Sequence, residues 1–196
     1  MSLLMIDMDG TLRQPLSEQL YFQNPQDQQM IAGVDTALRS YQDGWTIVGI
    51  TNQGGVAAGH KTIRTCIQEQ QYTLQLAPLL KEIYFCPDFE GKKCFRVTRH
   101  NTHNHSQTKW SGQYRKPQPG MLKLAMVRYN HSPEDCLYVG DRSEDEQAAR
   151  RAGVAFEWAE EWIARHQTNP IVEEAMMKQN TGLDEALLQA VEEKSD

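Results

Sequence analysis

An α/β fold, with a doubly wound parallel sheet flanked by helices, is what this sequence predicts, and three observations predict it. Short apolar runs of strand length alternate with longer stretches of helical period along most of the chain. One of those runs, WTIVGIT, is apolar without alternation, as a strand covered on both faces requires. Several runs end in acidic, Gly or Thr-Asn residues, at the strand edge where open α/β sheets bind their ligands.

The elements follow in order. SLLMIDM, residues 2–8, reads as the first strand. GVDTALRSYQDG, residues 33–44, has apolar residues at helical spacing and stops on Gly44. WTIVGIT, residues 45–51, is the second strand, and a Gln/Thr-rich helix spans 61–76. KEIYFCP, from residue 81, is a third strand. GMLKLAMVRYN, introduced by Pro119, is a helix, and CLYVGD, from residue 136, a fourth strand. SEDEQAARRAG is a helix closed by Gly153, and VAFEWA is a fifth strand.

Two stretches fall outside this alternation. Residues 87–115 form a polar insert with no clear period, and loops of that length are functional or disordered. Residues 166–196 form a tail in which Thr181 and Asp184 resemble a capping box ahead of an apolar stripe, Leu183, Leu187, Ala190 and Val191. That pattern is expected of a terminal helix docked on the core. The expected organisation is therefore one α/β domain over 1–165, with the 87–115 insert, and a helical tail over 166–196.

A chain of 196 residues can bury a core without disulfides or metal staples. No apolar stretch reaches the roughly 20 residues of a membrane span, and no signal peptide is evident at the N-terminus. Cys66, Cys86, Cys94 and Cys136 form no CxxC pair, which suits reduced thiols in a cytoplasmic protein. A formal net charge of -6 argues against a chain built as a whole to hold nucleic acid.

The chemistry sits at the predicted strand ends. Asp7 and Asp9 close the first strand and are followed by Gly10 and Thr11. Two residues apart in a strand they point to one side, and carboxylates so close resist ionising together unless a cation intervenes. The second strand ends in Thr51-Asn52-Gln53-Gly54-Gly55, and the fourth in Asp141 with Asp145 one helical turn on. YRKPQPGM sets Arg115 and Lys116 in a turn before a helix. Each piece alone has an ordinary reading. Asp-Gly is a turn, Thr-Asn a cap, Lys116 a surface charge, and DRSED an acidic first turn. All four in order, three at strand ends and one in a turn before a helix, are not explained by four separate coincidences.

This order resembles the haloacid dehalogenase superfamily of phosphatases over residues 3–165. It is most similar to the small-capped group containing sugar-bisphosphate and histidinol-phosphate phosphatases, with DxDGT, TNQ, RKPxPGM and VGDxxxD. The resemblance implies a Rossmann-like phosphatase with one Mg²⁺ per site. Asp7 would attack phosphorus and form an aspartyl-phosphate, and Asp9 would serve as acid and then base. Asp7, the backbone carbonyl of Asp9, and Asp141 would hold the metal, with Asp145 orienting its waters. Thr51 and Asn52 would donate to phosphoryl oxygens, and Lys116 would balance charge. Arg115 would contact a second anionic group of the substrate.

The insert departs from the family pattern. Cys86 matches the first zinc ligand of the C-x-H … C-x-C loop, but Asp88 replaces the His and SGQYR lacks both closing cysteines. The usual zinc site is therefore not expected, although Cys86, Cys94, His100, His103 and His105 offer a substitute donor set. From Gly91 to Lys116 there are seven Lys or Arg, Lys92, Lys93, Arg96, Arg99, Lys109, Arg115 and Lys116, and no acid. Such a strip would focus anionic substrates, with Trp110 and Tyr114 as surfaces on which a base or sugar stacks. The leading expectation is a phosphatase of a small phosphorylated metabolite, a sugar phosphate or bisphosphate. A 3′-phosphatase of nucleic-acid ends and a non-catalytic phosphate-binding module are the competing readings.

Overall fold

In the computed structural model, which describes residues 1–167, the first apolar run forms β1 (Ser2–Asp7) and divides its side chains between two cores. Leu3 and Met5 join Val48, Ile50, Leu122 and Ala148 on one face. Leu4 and Ile6 join Val34, Leu38, Ile83 and Trp162 on the other, as a period of two demands. The expected tail helix lies outside the described residues.

After β1 come a two-stranded hairpin of β2 (Arg13–Gln14) and β3 (Gln29–Met30), then α1 (Val34–Arg39) and β4 (Trp45–Asn52). A single turn, α2 (Gly54–Ala57), precedes α3 (Ile63–Leu76), whose Thr62 cap accepts from Thr65 N at 3.0 Å. The chain continues through β5 (Leu80–Cys86), β6 (Phe95–Val97), β7 (Thr102–Asn104), α4 (Gly120–Tyr129) and β8 (Cys136–Gly140). It reaches residue 167 through α5 (Ser143–Ala152), β9 (Ala155–Trp158) and α6 (Ala159–His166). Gly153 closes α5 at φ 77°, as its place in the sequence suggests. The first helix stops at Arg39, earlier than its pattern predicts. From there tight turns carry the chain to Gly44, and the Tyr41 ring packs edge-on against Trp45 at 5.0 Å.

The strands lie in the order β7-β6-β5-β4-β1-β8-β9, with β1, β4, β5, β8 and β9 parallel. From β1 the chain winds first toward β5 and then back toward β9, so the direction reverses between β1 and β8. That reversal opens the crevice in which doubly wound sheets bind ligands.

The insert is not an unpatterned loop. β6 and β7 add antiparallel strands to the sheet edge, with Phe95 opposite Phe85 and the two rings stacked at 5.2 Å. Strands of three residues carry too little alternation to be read from sequence. The basic strip is also broken. Arg96 turns inward to pair with the buried Glu82 at 2.7 Å, and Glu82 receives the Tyr84 hydroxyl at 2.5 Å and Arg128 at 2.9 Å. Arg99 donates to the carbonyls of Pro78 and Leu80. Trp110 and Tyr114, expected as open stacking surfaces, are buried in the core. Lys92 and Lys93 remain exposed, and their backbone N–H groups are capped by the Asp88 carboxylate. Among the described residues, no helix is long and apolar enough to cross a membrane.

Candidate active site

β1 ends at Asp7, and the chain then folds into a turn in which Leu12 N and Arg13 N both bond to Met8 O. Gly10 makes the turn at φ 95°, and a Cβ there would lie 2.5 Å from Asp141 Oδ2. Only glycine meets both conditions.

Asp9 lies just past the end of β1, and its charge still helps to raise the Asp7 carboxyl. Its carboxylate accepts Arg13 Nε at 2.7 Å on one oxygen and Gln53 Nε2 at 2.8 Å on the other. Arg13 is fully buried and is braced by Gln28, Thr73 and the Glu69 carbonyl. Asp7, Asp141 and Asp145 can each present an oxygen within 4.8 Å of the others. Asp7 is thus crowded by Asp9 and, in addition, by acids from the β8 end.

Lys116 enters from the turn before α4 and donates its ammonium to Asp7 Oδ1 and, at 2.6 Å, to Asp145 Oδ1. Asn52 fixes the backbone of Lys116, donating Nδ2 to its carbonyl and accepting its N–H, both at 3.0 Å. The Asn52 amide, expected to reach a phosphoryl oxygen, is thus committed largely to Lys116. Asp145 also accepts the Tyr138 hydroxyl at 2.7 Å and the Arg142 N–H at 3.1 Å. Asp141, at the tip of β8, shares the Thr11 hydroxyl with Asp7, at 3.1 Å and 3.4 Å. Thr51 is buried, and its hydroxyl accepts Gln53 Nε2 at 2.9 Å. Arg115 lies beside this group, its guanidinium 5.3 Å from the Phe89 ring and next to Gly54. One of its nitrogens is enclosed with no hydrogen-bond partner among the described residues.

The electrostatics follow from burial. Loss of water pushes the Asp7 carboxyl up to about 8, against the pull of Lys116. Burial works the same way on Asp9, but Arg13, Lys61 and Gln53 hold it below the usual carboxylate range. Burial would lower Lys116, yet Asp7 and Asp145 together raise it. A divalent cation suits this donor set: the oxygens are hard and anionic, and Asp7 keeps one of them, Oδ2, on the Asp141 side away from Lys116.

Four residues around the site were not singled out from sequence. Thr11 and Gln53 lie inside motifs that pointed to their neighbours. Arg13 gave no signal. Tyr138 gave a faint one, since a tyrosine in a buried strand needs a partner for its hydroxyl.

Residues 2–168 match the family described as Polynucleotide kinase 3 phosphatase. The chain belongs to that family. It is a haloacid dehalogenase-type phosphatase, and the fold and the enzyme class both stand as the sequence predicted. Among curated relatives, the D-glycero-beta-D-manno-heptose-1,7-bisphosphate 7-phosphatase of Haemophilus ducreyi is 33% identical over 76% of this chain and 77% of its own. The D-glycero-D-manno-heptose-1,7-bisphosphate 7-phosphatase of Thermosynechococcus vestitus is 30% identical over 76% of this chain and 73% of its own. The D,D-heptose 1,7-bisphosphate phosphatase of B. bronchiseptica, solved with magnesium and phosphate, superposes with a TM-score of 0.62. It is 25% identical and covers 86% of this chain and 89% of that one. That relative holds magnesium and phosphate, and the cluster of Asp7, Asp141 and Asp145 here is a donor set of the kind that could hold such an ion.

Proposed function

We propose that this phosphatase hydrolyses a phosphomonoester of a small sugar, and a sugar bisphosphate in particular, through an aspartyl-phosphate on Asp7. The observation that carries the reading is the Lys116 ammonium held between Asp7 and Asp145 at the reversal point of the sheet. A carboxylate nucleophile must approach an anionic phosphoryl group, and a fixed cation beside it offsets that repulsion.

Asp7 attacks phosphorus as the bond to the sugar oxygen breaks, and Asp9, which must take up a proton from solvent as the anionic substrate binds, passes it to the leaving oxygen. Asp9 then takes a proton from water as the water attacks the phosphoenzyme, releasing phosphate and restoring Asp7. To do so Asp9 must give up at least one of its bonds to Arg13 and Gln53. Thr51 would donate its hydroxyl to a phosphoryl oxygen, assisted by the remaining Asn52 amide proton. Asp7, Asp141 and the Asp9 carbonyl would hold Mg²⁺, with Asp145 behind them, and the ion would neutralise phosphoryl charge and favour ionised Asp7. Arg115, beside Gly54 and the Phe89 ring, would take the second phosphate. The curated relatives support a bisphosphate substrate, and four free cysteines suit a reducing, cytoplasmic setting. We read residues 1–165 as the catalytic unit.

The family description itself supports a second reading, removal of phosphate from a polynucleotide 3′ end. Against it stand the net charge of -6, the inward pairing of Arg96 with Glu82 and the bonding of Arg99 to the Pro78 and Leu80 carbonyls. A panel of phosphorylated compounds with added Mg²⁺ decides between them. It should include heptose 1,7-bisphosphate, hexose monophosphates and a 3′-phosphorylated oligonucleotide. A preference for the bisphosphate that Arg115→Ala reduces through KM supports the first reading. Selective turnover of the oligonucleotide overturns it.

A further inference from the structure

An ammonium group has three N–H bonds, and that of Lys116 has three acceptors: Asp7 Oδ1, Asp145 Oδ1 and, at 3.1 Å, the hydroxyl of Tyr138. The Tyr138 hydroxyl donates its own proton to Asp145 Oδ1 at 2.7 Å. Lys116, Asp145 and Tyr138 therefore close a triangle of hydrogen bonds, and the remaining N–H of Lys116 is the one aimed at Asp7. The three contributors differ in stiffness. Lysine swings on four side-chain torsions, whereas tyrosine has two and carries its hydroxyl at a fixed distance from the backbone. Tyr138 is completely buried on β8, in register with Met5 of β1, and its ring packs edge-on against Phe156 at 6.2 Å. It is the rigid corner of the triangle.

We propose that Tyr138 is a positioning residue for the phosphatase reaction, its hydroxyl orienting the Lys116 ammonium and the Asp145 carboxylate so that Lys116 stays trained on Asp7. The proposal rests on the reading of Asp7 as nucleophile and Lys116 as its charge partner. Without the hydroxyl, one N–H of a buried ammonium loses its acceptor, and Lys116 is free to turn from Asp7 toward Asp145. Tyr138 is too deeply buried for the substrate to touch, so the loss should fall on the chemical step and leave substrate binding alone.

The test compares wild type, Tyr138→Phe and Tyr138→Met in saturating Mg²⁺. Steady-state kinetics with p-nitrophenyl phosphate are followed by rapid-quench measurement of phosphoenzyme formation, with calorimetry to confirm folding. The expected result is a kcat and a phosphorylation rate lowered roughly ten- to hundredfold, the scale of a misplaced catalytic group, with KM within about twofold. Tyr138→Met carries the same expectation should the phenylalanine variant fail to fold. A variant that folds and phosphorylates at the wild-type rate overturns the proposal, as does a loss confined to KM. Failure of the wild type itself to form a phosphoenzyme overturns the Asp7 reading instead, and the two failures are distinct.

Discussion

The side chain of Asn52 grips the backbone of Lys116 through two hydrogen bonds, Nδ2 to the carbonyl and Oδ1 from the N–H, each 3.0 Å long. The end of β4 is thereby joined to the turn that carries the site's buried ammonium, across 64 residues of sequence. Asn52→Ala removes both bonds, and Asn52→Asp removes the donor while keeping the acceptor. We expect kcat to fall by about tenfold or more for alanine and by at least as much for aspartate, whose second oxygen would face the Lys116 carbonyl and the phosphoryl group. Equal, negligible effects in both would mean that the grip does not matter to turnover.

Asp7→Asn should abolish turnover and the phosphoenzyme while leaving the protein folded. The amide is nearly isosteric but is a poor nucleophile. Burial already disfavours ionised Asp7, so the neutral variant should melt no lower than the wild type in the absence of metal. Wild-type-like activity, with reversion to aspartate excluded by mass spectrometry, would remove Asp7 from the mechanism.

Activity should require Mg²⁺, vanish with EDTA and return on adding the ion. Asp141→Ala should weaken the Mg²⁺ dependence sharply, because Asp141 faces the free oxygen of Asp7 across the Thr11 hydroxyl. Full turnover in a rigorously metal-free preparation would contradict the assigned chemistry.

Glu82 supplies a pH dependence of stability. Burial works to raise its carboxyl, but the Tyr84 hydroxyl, Arg96 and Arg128 outweigh that and hold it below the usual glutamate range. A carboxyl lowered in the folded state contributes stability above its unfolded value, about pH 4.3, and loses it as pH falls through the lower folded value. Glu82→Gln should cost roughly 3 kcal/mol near neutrality, since two arginines lose their partner. The difference from wild type should shrink on acidification below about pH 4. Urea melts at pH 7 and pH 3 measure it, and a constant difference across that range would rule the explanation out.

Replacing Lys92 and Lys93 with Ser should leave hydrolysis of a small sugar phosphate within a few-fold of wild type at all salt concentrations. Both are exposed and touch no part of the site described above. Arg96→Ser belongs to a different experiment, because it unpairs the buried Glu82 and should lower the melting temperature. A steep, salt-linked loss on a 3′-phosphorylated oligonucleotide in the Lys92/Lys93 variant would favour the nucleic-acid reading.

Four of the five parallel strands are buried runs with a turn at the end, and β9, only partly buried, was legible from its place after Gly153. The strand-end residues were legible because topology forces them to one edge of the sheet. What stayed hidden depended on side-chain direction. Arg96 and Lys92 are both cations of one polar stretch, and nothing in their spacing says that one pairs with Glu82 while the other faces water. Asp9 shows the same limit. Its separation of two from Asp7 places the two carboxylates near each other, but says nothing of Arg13 and Gln53, which hold the Asp9 carboxylate. Arg13 and Tyr138 escaped notice because their function lies in contacts from distant segments, with Glu69 and Thr73 for one and Lys116 for the other.

The strand order has a consequence for how such a protein can change. β1 carries Asp7 and has a parallel neighbour on each side, whereas β7 sits at the sheet's margin and the β2–β3 hairpin stands apart from it. Opening β1 to solvent requires nearly the whole molecule to come undone, while the margin and the hairpin open at far smaller cost. Bond-breaking groups are thus rooted where hydrogen exchange should be slowest, and the flanking segments 15–28 and 87–115 where it should be fastest. The exposed positions of those two segments can therefore be replaced without disturbing β1, and a change of phosphorylated substrate made there would keep the same hydrolytic centre.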